Sequence, residues 1–538
     1  MTRSSEGSAA SSDPASDGAA LDGSPIPIAA VLPALQLWVR PEPRRRRIVC
    51  PPGVLPAAGI AGVAAAVLIP VNRPGVGWVL ASAVAAGAVF EVDRRARKTV
   101  AAEPSAAKDP EGSEIPGAAS GADAGGPTPT KAVRHPWDWG RVWWATVASA
   151  LLAVGAFRAA GWLFTLCVAA ALVAGSLAVV GKRSAKGVWY DVVAVPWESL
   201  SAVPWAYQGA VRMRGPATTR ATRIGWSVLV TVALLAVFVP LLGSADATFG
   251  FLVGTLVPEV DAPALMRWSI LFALAGAGSL GAMYLLAGPP AAADPGPRPG
   301  RTLRRSEWVL PVGALTALFG FFLVAQFVAL FGGDDYVQRT AGLTYAEYAR
   351  SGFWQLSIVS ILTLAVIVAV LHWAARDSAA DRTWLRALLG AVSLLSLVIV
   401  ASALGRMWTY QQAYGFTVLR LLVEVFELWL GLIFLLVLAA IARLDLTWLP
   451  RAAIGTAFAT LLALAVVNPE RLIADRNIDR WQHGKDLDVE YLMTLSPDVL
   501  PALSRLSAPT RAPIDDYIRA GLPADSWQSW NLSRANAR

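Results

Sequence analysis

The stretch Leu430–Ile441 reads LGLIFLLVLAAI and is apolar on every face of a helix. It completes a mainly apolar segment over residues 419–441, which is long enough to cross the roughly 30 Å hydrocarbon core of a bilayer as a helix. Lipid offers the backbone no hydrogen-bond partners, so such a segment is predicted to be an α-helix. A membrane barrel would alternate apolar and polar residues along each strand, and this stretch does not.

Similar segments recur from Leu55 to Val467 and predict an all-α, polytopic integral membrane protein with about eleven transmembrane helices. The composition agrees: 55% of residues are hydrophobic and 16% are charged, whereas soluble domains carry about 25% charge. The predicted spans cover residues 54–70, 75–91, 141–157, 160–180, 224–243, 264–287, 308–330, 353–373, 384–404, 419–441 and 451–467.

The basic residues predict the orientation, because positive charge favours cytoplasmic loops. Every second gap between spans is rich in arginine, and we call these the arginine-rich gaps. The remaining, arginine-poor gaps contain only Arg73, Arg158, Arg339, Arg350 and Arg406. We therefore expect the N-terminus inside and the C-terminal tail outside. The net charge is +8. Because the arginines lie at the ends of spans, this charge is explained by membrane orientation, and no nucleic-acid partner is expected.

The chain is predicted to divide into six parts. A disordered, basic cytoplasmic N-terminus (1–50) precedes a two-helix transmembrane hairpin (51–91) and a cytoplasmic linker (92–140). Residues 141–223 hold two spans and an aromatic segment, Trp189–Arg214, which is interpreted as interfacial; an ordinary cytoplasmic loop is the alternative. A seven-helix core (224–467) leads to a helical extracytoplasmic tail (468–538), where Asn468-Pro469-Glu470 supplies a helix start.

Polar residues inside a membrane are costly, so they are the first candidates for function. Arg420, Glu424, Glu427 and Gly431 are spaced to share one face of their helix, and Glu424 is expected to pair with Arg420. The neighbouring arginine-poor gaps add further polar residues. The candidate site near the outer face comprises Asp334, Asp335, Arg350, Arg406, Gln411, Arg420, Glu424 and Glu427. It is either a ligand, ion or proton site, or a packing network.

No residues are predicted to be catalytic, to hold a cofactor or to bind a metal. The three histidines, His135, His372 and His483, lie in separate parts of the chain. Cys50 and Cys167 have no metal-ligand spacing, and no phosphate loop, nucleophile elbow or zinc motif is present. Membrane lipid is the one partner that the sequence indicates; it says nothing of protein partners.

Three further groups of residues form a pattern. The first is GLTYAEYAR at 342–350 followed by GFWQL at 352–356, the second is Arg406 with YGFT at 414–417, and the third is Asn468-Pro469 with Asn477 and Arg480. Together they resemble the bacterial polytopic membrane proteins classified as domain of unknown function 4153/4173, from about Trp226 onward. The resemblance implies a helical membrane fold and no particular reaction.

Three functions remain open. A non-enzymatic sensor or accessory protein with a polar site near the outer face is favoured. A small-solute transporter is the alternative, although no repeated halves are seen. A transferase using a lipid-linked donor would need acidic loop residues such as Asp334 and Asp335. The abundance of Ala, Arg, Gly and Pro beside little Lys and Asn indicates a GC-rich bacterial genome and hence a multi-pass protein of the plasma membrane.

Overall fold

The computed structural model describes residues 48–102, 139–181, 187–212, 261–288, 303–341, 345–522 and 524–538, with scattered positions between 227 and 252. Side chains at 99–102, 262 and 328–352 are not part of this description. The predictions for residues 1–47, for most of the linker and for most of the span at 224–243 therefore lie outside the described residues.

The described part of the chain is 84% helical and contains no strand, which confirms the all-α class. We number the helices in chain order: α1 Val54–Leu68, α2 Gly77–Ala102, α3 Trp139–Phe157, α4 Gly161–Val180, α5 Val188–Arg212, α6 Ala262–Ala287, α7 Arg305–Ala341, α8 Tyr345–Trp373, α9 Ala379–Tyr414, α10 Val418–Arg443, α11 Leu449–Val467, α12 Pro469–Gln482, α13 Val489–Met493, α14 Leu500–Leu503, α15 Ala508–Ala520 and α16 Leu532–Ala537.

Among the described residues, eight helices are long and apolar enough to cross a membrane: α3, α4 and α6 to α11. Three of the eleven predicted spans are not among them. Helix α1 is apolar but has only 15 residues. Helix α2 carries Glu91, Asp93 and a run of arginines in its second half. The third predicted span is the one at 224–243.

Contacts between the ends of different helices bring arginine-rich gaps together. Leu303, between α6 and α7, exchanges backbone hydrogen bonds with Trp373 and Ala375, between α8 and α9. Arg376 Nη1 donates to Leu444 O between α10 and α11, at 2.9 Å. Arg451 Nη2 donates to Gly181 O between α4 and α5, at 3.1 Å. These four gaps therefore lie on the same side of the bundle.

Helix α5 contacts the ends of other helices on that same side. Its buried Asp191 lies 3.7 Å from Arg451 of α11. Near its other end, a Cβ on Gly209 would lie 2.3 Å from the Cβ of Cys50, just before α1. Gly281 of α6 approaches the backbone of Val195 so closely that a Cβ would lie 2.6 Å from the carbonyl oxygen. The interfacial position of this segment remains a prediction.

Two large apolar cores and two smaller apolar clusters hold the described helices. One large core combines α3, α4, α11 and the start of α10 with the tail helices. The other large core combines α7, α8, α9 and α10, and we call these four helices the bundle. Helix α10 contributes to both cores, so it connects the tail to the bundle. Residues 468–538, which we call the cap, pack against the helix ends at the arginine-poor gaps.

Candidate functional site

The cap begins where the sequence predicted a helix start. Asn468 adopts a left-handed backbone conformation with φ of 60° and its side chain accepts from Arg471 N at the beginning of α12. Pro469 occupies the first turn, where no amide donor is needed. Asn468 Nδ2 also donates to Asp498 O at 3.1 Å, which ties the start of α12 to the 3₁₀ turn Pro497–Val499.

Two residues of α12 hold the turn between α9 and α10. Asn477 Oδ1 accepts from Phe416 N and Asn477 Nδ2 donates to Phe416 O, both at 2.8 Å. Arg480 donates from Nε to Gln412 O at 2.9 Å and from Nη2 to Ala413 O at 3.0 Å. Burial and the nearby Arg420 lower the pKa of Arg480 from its usual value. This side chain thus satisfies carbonyls that the end of α9 leaves without a helical partner.

Arg420 acts on the same helix end, and no ion pair joins it to Glu424 among the described residues, although their spacing would allow one. Its Nη1 donates to Tyr414 O at 2.9 Å and to Gly415 O, and its guanidinium lies 4.7 Å from the centre of the Tyr410 ring. A cation at a helix C-terminus complements the helix dipole. Arg420 is therefore a capping residue at the α9–α10 turn.

The cap holds the α3–α4 turn through acidic and amide side chains. Asp498 Oδ2 accepts from Ala159 N and Ala160 N at 2.8 and 2.9 Å. Glu470 accepts from Trp162 Nε1 at 3.0 Å and from Ser496 N at 2.7 Å, and its burial raises its pKa above the usual value. Both carboxylates thereby satisfy buried donors at the start of α4.

The end of the cap reaches the α1–α2 gap. Asp525 is contacted by three arginines: Arg73 at 3.3 Å, Arg534 at 3.1 Å and Arg538 at 3.0 Å. Arg534 Nη2 also donates to Pro74 O at 2.8 Å. The arginine-poor gaps before α2, α4 and α10 therefore lie on the cap side, opposite the four arginine-rich gaps that contact one another.

Inside the bundle, the predicted candidates make hydrogen bonds between neighbouring helices. Arg406 Nη2 donates to Gln326 Oε1 of α7 at 2.9 Å. Gln411 of α9, which is fully buried, donates from Nε2 to Glu424 Oε2 of α10 at 3.2 Å. Within the described ranges, the carbonyl oxygen Oε1 of Gln411 has no hydrogen-bond partner. Gln326 was missed by sequence reasoning, although it is a single polar residue in the apolar run of α7.

Glu427 is fully buried between α8 and α10. Its Oε1 is hydrogen-bonded to Ser357 Oγ of α8, and its Oε2 has no hydrogen-bond partner among the described residues. Ser360, one turn along α8, is also buried with an unpartnered hydroxyl. Ser357 was missed because a serine in an apolar helix usually bonds its own backbone, and only the helix contact reveals its second role.

The eight candidate residues predicted from the sequence therefore have different roles in the structure. Arg420 caps a helix, while Arg406, Gln411, Glu424 and Glu427 contribute to three polar pairs that join neighbouring helices. The side chains of Asp334, Asp335 and Arg350 lie outside the described residues, so their membership of the site stays a prediction.

These features define a class: a polytopic helical membrane protein. In its described part, eight helices are long and apolar enough to cross a membrane, and a helical cap covers one set of helix ends. Residues 146–506, more than half of the chain, match the family model of DUF4153, a domain of unknown function. The chain belongs to this family. The match begins well before Trp226, so it includes α4, α5 and most of α3. No curated protein and no solved structure matches the chain.

Proposed function

We propose that this chain is a non-enzymatic sensor or accessory protein of the bacterial plasma membrane, and that Glu427 is its proton-responsive group. The observation that carries the proposal is the carboxyl group of Glu427, which is fully buried with only one of its two oxygens hydrogen-bonded. A buried carboxylate without a cationic partner is strongly disfavoured inside a membrane, whereas a neutral carboxylic acid is tolerated.

The hydrogen bonds around Ser357 support a proton on Glu427. Ser357 Oγ contacts two oxygens, Phe353 O at 3.2 Å and Glu427 Oε1. A serine hydroxyl has one hydrogen to donate. Both contacts are hydrogen bonds at the same time only when Glu427 carries a proton and donates it to Ser357 Oγ. Loss of that proton would turn the Ser357 hydroxyl from Phe353 O toward the carboxylate, and it would leave a buried charge between α8 and α10.

Helix α10 connects this group to the cap. Its start is held by Tyr491, whose hydroxyl accepts from Val418 N at 2.8 Å, and Asn477 holds the preceding Phe416. Glu427 lies nine residues further along the helix, about 14 Å away at 1.5 Å per residue. A change in the packing of α8 against α10 would therefore reach the cap through one rigid element.

The orientation of the chain in the membrane, with the cap on the outer side, is part of this proposal. With the cap outside, Glu427 lies in the outer half of its span and responds to external conditions. A C-terminal alkaline phosphatase fusion should be active in a bacterial host, and a C-terminal fluorescent protein should stay dark. The opposite pair of results would place the cap in the cytoplasm and overturn an external sensor.

The protonation of Glu427 is tested by infrared spectroscopy of the full-length protein in lipid nanodiscs. The wild-type spectrum should contain a protonated-carboxyl band that is absent from Glu427→Gln, and Ser357→Ala should shift that band. Glu490→Gln, which changes an exposed glutamate of the cap, is the matched control and should leave it unchanged. Identical carboxyl bands in the wild type and Glu427→Gln would contradict the proposal.

A second test asks whether the polar pairs matter in the cell. In a strain lacking the gene, the chain with alanine at Arg406, Glu424 and Glu427 should fail to complement any deletion phenotype that the wild type complements. Complementation of every phenotype by this variant would show that these three residues are not required for the function of the protein.

A proton-coupled transporter is the second candidate. The observation that favours it is a row of buried hydroxyls on α8, Ser357, Ser360 and Thr363, which begins at the contact between Ser357 and Glu427 of α10. Substrate-dependent flux in proteoliposomes that is lost in Glu427→Gln would support transport over sensing. The transferase hypothesis rests on Asp334 and Asp335 alone and stays a prediction.

A further inference from the structure

A cavity of about 360 Å³ lies on the cap side, between the outer end of α1, the start of α6 and the end of the cap. Among the described residues, its charged lining residues are Arg73 and Arg267, and none of the lining residues is acidic. Ser526, Gln528 and Ser529 of the cap add polar groups. The lining therefore offers cations and hydrogen-bond donors to one ligand.

The charge around this cavity is positive. Arg73 lies 3.3 Å from Asp525, whose single negative charge is shared with Arg534 and Arg538. Arg267 is half-buried in α6, and within the described ranges it has no ion pair or side-chain hydrogen bond. A half-buried guanidinium near a membrane surface is stabilised by an anion, and a phosphate group suits its planar set of donors.

An apolar groove of about 590 Å³ begins where the cavity ends. Pro56, Gly59, Ile60, Val63 and Ala64 of α1 and Val84 of α2 line it. Val67 lines both the groove and the cavity. Gly59 leaves open space, since a Cβ there would have no neighbour within 4 Å. A cationic cavity thus continues directly into an apolar channel along α1.

We propose that the cavity and groove together bind one anionic phospholipid. Its phosphate would lie against Arg73 and Arg267, and an acyl chain would follow α1 from Val67 toward Pro56. The combination of charge and continuity supports a lipid rather than a free anion, because a free anion would leave the adjoining groove unused. The α1 and cap residues of this site lie outside residues 146–506, so it is built largely from the flanks of the family domain.

The test measures lipid binding to the purified full-length protein in detergent by native mass spectrometry and by thermal unfolding. The probes are phosphatidylglycerol, phosphatidylcholine with the same acyl chains, glycerol phosphate and inorganic phosphate. Phosphatidylglycerol should bind at least tenfold more tightly than phosphatidylcholine and should raise the melting temperature. Arg267→Gln should weaken phosphatidylglycerol binding about fivefold, as expected for one arginine at a membrane surface.

Two further variants separate the contributions of charge and groove. Arg267→Lys should recover most of the affinity, while Ala64→Phe should fill the groove and weaken phosphatidylglycerol binding without affecting glycerol phosphate. Arg471→Gln is the matched control, because it removes an exposed cap-side arginine away from the cavity.

Several outcomes would overturn the proposal. Equal binding of both phospholipids, or an unchanged affinity in Arg267→Gln, would remove the cationic site. Inorganic phosphate or glycerol phosphate binding as tightly as phosphatidylglycerol would show a small-anion site without a lipid. Melting temperatures without added lipid identify any variant that is misfolded. If Arg267→Gln is misfolded, the phosphatidylglycerol affinities of Arg267→Lys and Ala64→Phe decide the result, because the first should be close to that of the wild type and the second should be weaker.

Discussion

The cap and the bundle each bury a glutamate, and the two side chains have opposite surroundings. In the cap, both carboxylate oxygens of Glu470 accept hydrogen bonds, one from Trp162 and one from Ser496. In the bundle, Glu427 has one bonded oxygen and one without a partner. A buried polar group with all its bonds made stabilises a fold, whereas one left incomplete costs free energy and needs another explanation.

The same contrast holds for the arginines. Arg420 and Arg480 donate to four consecutive carbonyls at the end of α9, from Gln412 to Gly415. These bonds are directed at the backbone and explain why the residues are present. Arg267 has no such bond within the described ranges. We therefore assign a structural role to Arg420 and Arg480 and a ligand-binding role to Arg267.

The largest effect is expected for Asn477→Ala. This change leaves the buried N–H and C=O of Phe416 without partners, at a cost of roughly 2–5 kcal/mol for the two groups. The apparent melting temperature in detergent should fall by several degrees, and limited proteolysis should cut first near the α9–α10 turn. Asp475→Ala, on the exposed side of the same helix, should change little. A small effect of Asn477→Ala would mean that the cap is not held by directed bonds.

Arg420→Leu should have an intermediate effect. The change removes two bonds from a charged donor to the end of α9 and the favourable interaction with the helix dipole, which together contribute about 1–3 kcal/mol. Arg420→Lys should recover only part of this stability, because a lysine cannot reach two carbonyls with a planar fork. Thermal unfolding of the three proteins measures the order. If the Glu424→Gln variant matched Arg420→Leu, an ion pair between the two residues would be indicated after all.

The third prediction concerns pH and Glu470. Burial raises the pKa of Glu470 above the usual 4.5, so the folded state holds its proton where the unfolded state has lost it. The free energy of unfolding should therefore fall as pH rises from about 4.5 toward the raised pKa and then level off. Glu470→Gln cannot titrate, so the advantage of the wild type over this variant should shrink across that window. A difference that grows with pH would contradict the raised pKa.

The smallest effect is expected for Arg471→Ala. Arg471 lies 3.6 Å from Asp475 on the exposed side of α12, and solvent screens such a pair. The loss should be at most about 0.5 kcal/mol, which is close to the limit of a thermal unfolding measurement. A clear destabilisation would show that exposed ion pairs, and not only buried hydrogen bonds, hold the cap in place.

Much of the fold was predictable from the sequence because membrane helices form all their backbone hydrogen bonds locally. Eight of the eleven predicted spans correspond to helices that can cross a membrane. The start of α12 at Asn468-Pro469 was also predicted, since capping depends on neighbouring residues. The predicted pairing of Glu424 with Arg420 is not seen among the described residues, because helical spacing shows which residues can meet and cannot show that a better acceptor lies across a turn.

The sequence by itself determined the helical class, the membrane setting and the set of polar residues that demand an explanation, since each follows from the local cost of exposing polar groups to lipid. Only the tertiary structure decided which of those groups are satisfied. Arg420 has its partners across a turn, Asn477 reaches residues 61 positions away, and Glu427 lies between helices with one oxygen unbonded. Such pairings depend on contacts between helices, which no local pattern encodes.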